Sequence, residues 1–272
     1  MKSSTKQSAA PAPLLHREDR AGVATLTLDN AASRNALSLA MIEALSGALA
    51  DIAQDKGARA VVVAGEGPAF SSGHDLREIA AHRNDRDAGK EFFERLMASC
   101  AQMMQAIVTL QKPVIAAVEG VATAAGCQLA AACDLAIAGT NARFATPGVN
   151  IGLFCSTPLV AIGRAISRKH AMEMALTGAL YPAAEAERFG LINRVVPAGR
   201  ALAEAHELAR NLATRSAKTM AIGKKTFYAQ IDLSLGDAYA LASRAMVENL
   251  ALSDAGEGIA AFLEKRAPRW EP

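Results

Sequence analysis

The sequence predicts an α/β fold of stacked strand–helix–strand units followed by a helical C-terminal region, and three features carry that prediction. Short β-rich or continuously apolar runs alternate with helical periodicity through the first half of the chain. Beyond Pro158 the pattern is almost wholly helical, broken by one strand at 191–196. Two stretches of small residues join a strand directly to a helix start. No internal repeat of fixed period is visible.

Residues 22–28 (GVATLTL) alternate and predict a strand. A polar loop ends in Arg34-Asn35-Ala36, and Ser38 then caps an amphipathic helix running to Gln54. The apolar run 59–64 (RAVVVA) suits a strand buried on both faces. Residues 65–73 read as a turn-rich loop. Asp75 opens a short helix with capping-box spacing to Glu78. A helix over 91–110 ends at Lys112-Pro113, and 114–118 is a second buried strand. The small residues 120–126 turn into a helix reaching Ala132, followed by a strand at 134–138 and a brief one at 143–145. Further helices are predicted over 200–215, 217–230, 234–251 and 255–265.

The chain has 272 residues, enough for one large domain with a substantial core. Charged residues make up 21%, with net charge +2 and both signs interspersed, which gives no nucleic-acid surface. Aromatics at 4% further exclude base stacking. Cys100, Cys127, Cys133 and Cys155 form no CxxC pair and read as reduced thiols of a cytoplasmic protein. No apolar run is long enough for a transmembrane helix, so no membrane partner is expected. Residues 1–13 read as a flexible tail rather than a signal or transit peptide. No metal site is predicted.

Two segments carry the chemistry. The first is Ala69-Phe70-Ser71-Ser72-Gly73-His74-Asp75-Leu76; the second runs from Glu119-Gly120 through Ala125-Gly126-Cys127-Gln128-Leu129. Each leads from a strand through small residues into a helix start, where N–H groups lack intrahelical partners. Such termini stabilise negative charge. Two of them converging would form an oxyanion hole for a carbonyl whose transition state gathers charge on oxygen. Each segment is also open to a plainer reading as an ordinary strand-to-helix turn.

Over residues 15–268 the sequence resembles the crotonase (enoyl-CoA hydratase/isomerase) superfamily. The supporting pieces occur in family order: Arg34-Asn35-Ala36-Leu37, Phe70 to Leu76, Lys112-Pro113-Val114-Ile115-Ala116 and Gly126-Cys127. Cys133-Asp134, Phe144-Ala145-Thr146-Pro147, Thr177-Gly178, Ala186 to Gly190 and Val195-Val196-Pro197 follow. Within the superfamily it is most similar to the enoyl-CoA hydratase domain-containing protein 3 group, through 122–128, 144–158 and 245–262. The resemblance implies a crotonase-like spiral of ββα units over 14–200 and a C-terminal helical trimerisation region over 201–272. It implies a homotrimer or dimer of trimers. The implied ligand is an acyl-CoA or enoyl-CoA, with coenzyme A present as part of the substrate and no covalent cofactor.

The same resemblance gives the hole to the backbone of His74 and Ala125, the family more often having glycine at the latter. Arg34, Ala36, Ser72, Asp75 and Leu76 correspond to the surface that holds coenzyme A, and Lys224 or Lys225 to a basic residue near its phosphates. The family's two catalytic glutamates correspond to Gln128 and Gly148, and a third carboxylate position to Ser156. All three lack a carboxylate, and a glutamine amide does not titrate usefully. Gly148 is expected to widen the pocket wall. Four other residues are each open to two readings. The His74 side chain is a base or packs, and Asp75 reacts or caps its helix. Cys155 is a nucleophile or lines the pocket, and Glu119 caps or faces solvent. The activity implied is that of an acyl-CoA hydratase or isomerase with altered acid–base residues, or else of a silent acyl-CoA binder or partner subunit.

Overall fold

The alternating run at 23–28 forms a strand, and the residues before it supply a partner that the sequence pattern conceals. The computed structural model describes residues 13–271; the expected N-terminal tail lies outside them except for Pro13. Strands β1 (Leu15–Arg20) and β2 (Val23–Leu28) form an antiparallel hairpin. β1 is an edge strand made mostly of charged residues, so it carries almost no apolar signal.

Helix α1 (Leu39–Gln54) starts where predicted, with Ser38 Oγ accepting the Met41 N–H at 3.2 Å. The chain continues through β3 (Ala60–Gly65), β4 (Ala69–Ser71), α2 (Leu76–His82), α3 (Lys90–Thr109), β5 (Val114–Val118) and β6 (Val121–Thr123). Next come α4 (Ala125–Ala132), β7 (Leu135–Gly139), β8 (Arg143–Ala145), α5 (Pro158–Ala165), α6 (Arg168–Thr177), β9 (Tyr181–Pro182) and α7 (Ala183–Phe189). Strand β10 (Arg194–Val196) is shorter than expected, and α8 (Ala201–Ala213), α9 (Ala217–Gln230), α10 (Leu235–Leu250) and α11 (Ser253–Leu263) complete the chain.

The strands form two sheets. The larger has the order β1-β2-β3-β5-β7-β10 and the smaller β4-β6-β8-β9. Each successive pair, β3–β4, β5–β6 and β7–β8, gives one strand to each sheet. The architecture is therefore a spiral of ββα units, as the resemblance implies, and not the simple βαβ stack that periodicity alone suggests. The difference lies in β4 and β6, three-residue strands hidden in what reads as turns.

β3 shows why the spiral holds together. Val61 and Val63 face a core shared with α1, α3 and the smaller sheet, while Ala60, Val62 and Ala64 face α8. α8 meets them with Ala201, Ala205 and Ala209, a one-sided stripe of small residues that lets helix and sheet approach closely. α8, the first helix of the expected C-terminal region, thus covers the outer face of the larger sheet. In α10 and α11, by contrast, Leu235, Tyr239, Val247, Phe262 and Leu263 are exposed.

Candidate functional site

The smaller sheet positions the site. β4, β6 and β8 run parallel in adjacent places, so the segments that leave their C-terminal ends lie side by side. These are Ser72-Gly73-His74, Ala124-Ala125 and Thr146-Pro147-Gly148. Ligands commonly bind at this end of parallel strands, where freed N–H groups gather.

The first two segments touch. Gly73 has φ +89°, and a Cβ there would lie 2.9 Å from Ala124 Cβ and 3.1 Å from the Ala125 nitrogen. Thr123 Oγ1 donates to the Ser72 carbonyl at 3.1 Å across the same seam. Gly126 is fixed by a still closer approach, since its Cβ would fall 2.2 Å from the Ser71 carbonyl oxygen. Between them Ala124 adopts φ +49°, a strained value for a residue with a side chain. Its N–H donates to Ala145 O at 2.9 Å and its carbonyl accepts the Gln128 N–H at 3.0 Å, which holds it there. Among the described residues, neither the His74 nor the Ala125 N–H has a hydrogen-bond partner.

A third strand-like stretch borders this pair. Ser72 N–H donates to Arg34 O at 3.0 Å and Leu37 N–H to Gly73 O at 2.7 Å, so Arg34 and Ala36 flank Ser72 and His74. The residue between them, fully buried Asn35, fixes the loop: its amide donates to Glu66 O (2.9 Å) and Ala69 O (2.8 Å) and its Oδ1 accepts from Asn30 N–H. Asp75 caps α2 by accepting the Arg77 and Glu78 N–H groups. The capping-box expectation is corrected at its other half. Glu78 reaches across to the Leu39 N–H at 3.0 Å and joins the starts of α1 and α2. Leu76 is exposed.

Three side chains at these segments carry a buried polar atom without a hydrogen-bond partner. Burial holds the His74 imidazole below its ordinary pKa, and its Nε2 has no partner. Gln128 is 4% exposed and its Oε1 is likewise unpaired. Thr146, which the sequence reading did not single out, is fully buried beside Ala145 with an unpaired Oγ1. Its only sequence signal was its place in the Phe-Ala-Thr-Pro run. Glu119 accepts the Ala201 N–H at 3.0 Å and so opens α8, which places it as a cap. Cys155 is buried, and burial raises the pKa of its thiol; the Cys127 thiol is raised to about 12. Neither is an activated nucleophile.

Gly148 does not widen the wall as expected. Its Cβ would meet Leu153 O at 2.8 Å and Cys155 Sγ at 2.9 Å, so the space a side chain would take is already filled. Gly148→Glu is therefore expected to lower stability by about 1–3 kcal/mol through overpacking, read from the denaturant midpoint. Cys155→Ala in the same chain should recover part of that loss.

Beyond Gln128 lies a cavity of about 720 Å³ between α3, α4, α5 and α9, with Ala132, Arg164 and Lys225 among its walls. The two candidate lysines separate here. Lys224 is enclosed, its Nζ donating to Asp134 Oδ2 (2.7 Å), Ile107 O (2.9 Å) and Lys112 O (3.0 Å). Lys225 is exposed at the cavity, with no hydrogen bond to Arg34, Ala36 or Ser72 among the described residues. No metal-binding cluster occurs among the described residues, and no helix there is long and apolar enough to cross a membrane.

Comparison with known proteins agrees with this fold. The family model described as Enoyl-CoA hydratase/isomerase matches residues 18–272. Enoyl-CoA hydratase domain-containing protein 3, mitochondrial, from Rattus norvegicus is 46% identical over 249 residues, 92% of this chain and 81% of that protein. The crystal structure of the human protein of that description superposes with TM-score 0.89 at 44% identity, covering 94% of this chain and 100% of that one. An enoyl-CoA hydratase structure from Mycobacterium smegmatis gives TM-score 0.90 at 46% identity, covering 95% and 99%. The chain belongs to the enoyl-CoA hydratase/isomerase, or crotonase, family.

Proposed function

We propose that this protein binds an acyl-CoA thioester and polarises its carbonyl between the N–H groups of His74 and Ala125. The observation that carries this reading is the pair of unpartnered N–H groups brought together where Gly73 meets the start of α4. An oxygen held there gains two donors and the positive end of α4, and enolate charge on it would be stabilised by about 3–4 kcal/mol per donor. Arg34, Ala36, Ser72, Asp75 and Leu76 form the proposed coenzyme A surface beside the hole. No cofactor beyond the thioester's own coenzyme A is needed.

In our reading Gln128 and Gly148 occupy the two glutamate positions of the family's hydratases, so neither proton transfer of hydration has its usual group. Each such group is typically worth about 10²–10⁴ in rate. Gln128 remains able to orient a water or a substrate atom through its unpaired amide oxygen. Slow hydratase or isomerase chemistry on enoyl thioesters is then the most that the site supports. A second reading, thioester binding without turnover, is favoured by the filled space at Gly148. The exposed apolar side chains of α10 and α11 support a homotrimer or a dimer of trimers. Four free thiols support a reducing compartment, which we read as the cytoplasm.

Calorimetry with butyryl-CoA and the loss of crotonyl-CoA absorbance test both readings together. Binding is expected, with turnover at least about a hundredfold below ordinary enzyme rates of roughly 10 s⁻¹. No binding of either thioester would remove the proposal, and turnover at ordinary rates would remove the missing acid–base pair from it.

A further inference from the structure

We propose that the cavity beyond Gln128 receives the acyl group and selects one whose far end is anionic, the monothioester of a dicarboxylic acid; this rests on the thioester reading above. The cavity has a direction. Its inner part is walled by the buried residues Gln128, Met104 and Ala132, whereas Arg164 and Lys225 stand exposed at its outer part. Gln128 and Ala132 are one turn apart on α4, and Ala125 lies one turn before Gln128, so hole and cavity follow one another along the same helix. From Ala125 to Ala132 is about 10 Å, the length of an extended chain of roughly eight carbons.

A closed apolar end would select a methyl terminus. This cavity instead opens at about 720 Å³ towards two cations, and none of the residues lining it is an aspartate or glutamate. The apolar walls up to Ala132 suit methylenes, and the outer end beyond it suits a carboxylate that keeps part of its hydration. The Arg164 guanidinium already lies 3.6 Å from the carboxylate of Asp232, but both side chains are well exposed and an exposed pair of this kind is readily exchanged. Lys225 has no ion-pair partner among the described residues.

Titration calorimetry at low salt with suberyl-CoA, octanoyl-CoA and butyryl-CoA decides the matter. Suberyl-CoA and octanoyl-CoA have the same length and differ in the far end. Suberyl-CoA is expected to bind about fivefold more tightly. In the Arg164→Gln/Lys225→Gln variant, whose changes lie at exposed positions, that ratio should fall to near one. Equal or tighter binding of octanoyl-CoA by the wild-type protein would overturn the proposal, as would a preference that survives in the variant. If butyryl-CoA binds while suberyl-CoA shows no advantage, only this inference fails. If none of the three binds, the thioester reading fails with it.

Discussion

Lys224→Met is expected to cost about 3–5 kcal/mol of folding stability, the largest effect of any single change considered for this chain. The Lys224 side chain is 9% exposed and its ammonium group meets Asp134, whose side chain is 16% exposed, at 2.7 Å. Asp134 also accepts the Tyr228 hydroxyl at 2.8 Å and the Val114 N–H at 2.7 Å. Burial pulls the Lys224 pKa down and the Asp134 carboxylate opposes that pull. Without the lysine, a buried carboxylate loses its counter-charge and the carbonyls of Ile107 and Lys112 lose a donor. Urea denaturation measures the loss, and Asp134→Asn in the Lys224→Met background should return part of it. A loss below about 1 kcal/mol would mean that the Lys224–Asp134 pair contributes little to holding α9 on the core.

Gly73→Ala is the second large effect, and it falls on function. At φ +89° a side chain is strained, and this Cβ would also press on Ala124 and on the Thr123 carbonyl, each at 2.9 Å. Relief requires the start of α4 to move, and the Ala125 N–H moves with it. Acyl-CoA affinity should fall at least about tenfold, the value of one well-made hydrogen bond. Gly152→Ala is the control. It has φ +75° with nothing within 4 Å, so it carries the conformational strain without crowding the site. Equal losses of affinity in the two variants would assign the effect to backbone strain rather than to the hole.

Much of this was legible in the sequence because the relevant residues act through the backbone. Gly73 and Gly126 mark close approaches, and such approaches leave glycine behind them in any reading. Ser38 and Asp75 announced helix starts because their side chains bond to nearby N–H groups. β1 was invisible because an edge strand needs few apolar residues, and β4 and β6 because three residues cannot establish a period. The filling of space beside Gly148 was also beyond the sequence. It depends on where Leu153 and Cys155 fold back, and local patterning does not encode that. The adjacent identities Lys224 and Lys225 gave no sign that one is enclosed and the other free, since that follows from the face of α9 turned to Asp134.

The convergence of the His74 and Ala125 N–H groups on a thioester oxygen is tested most directly by infrared difference spectroscopy. Butyryl-CoA labelled with ¹³C at the carbonyl would be bound to the wild-type protein. Two donors on one oxygen weaken the C=O bond, so the labelled band should move to lower frequency on binding and return towards its free position in Gly73→Ala. A band that stays at the free-ligand frequency while calorimetry reports binding would contradict the hole.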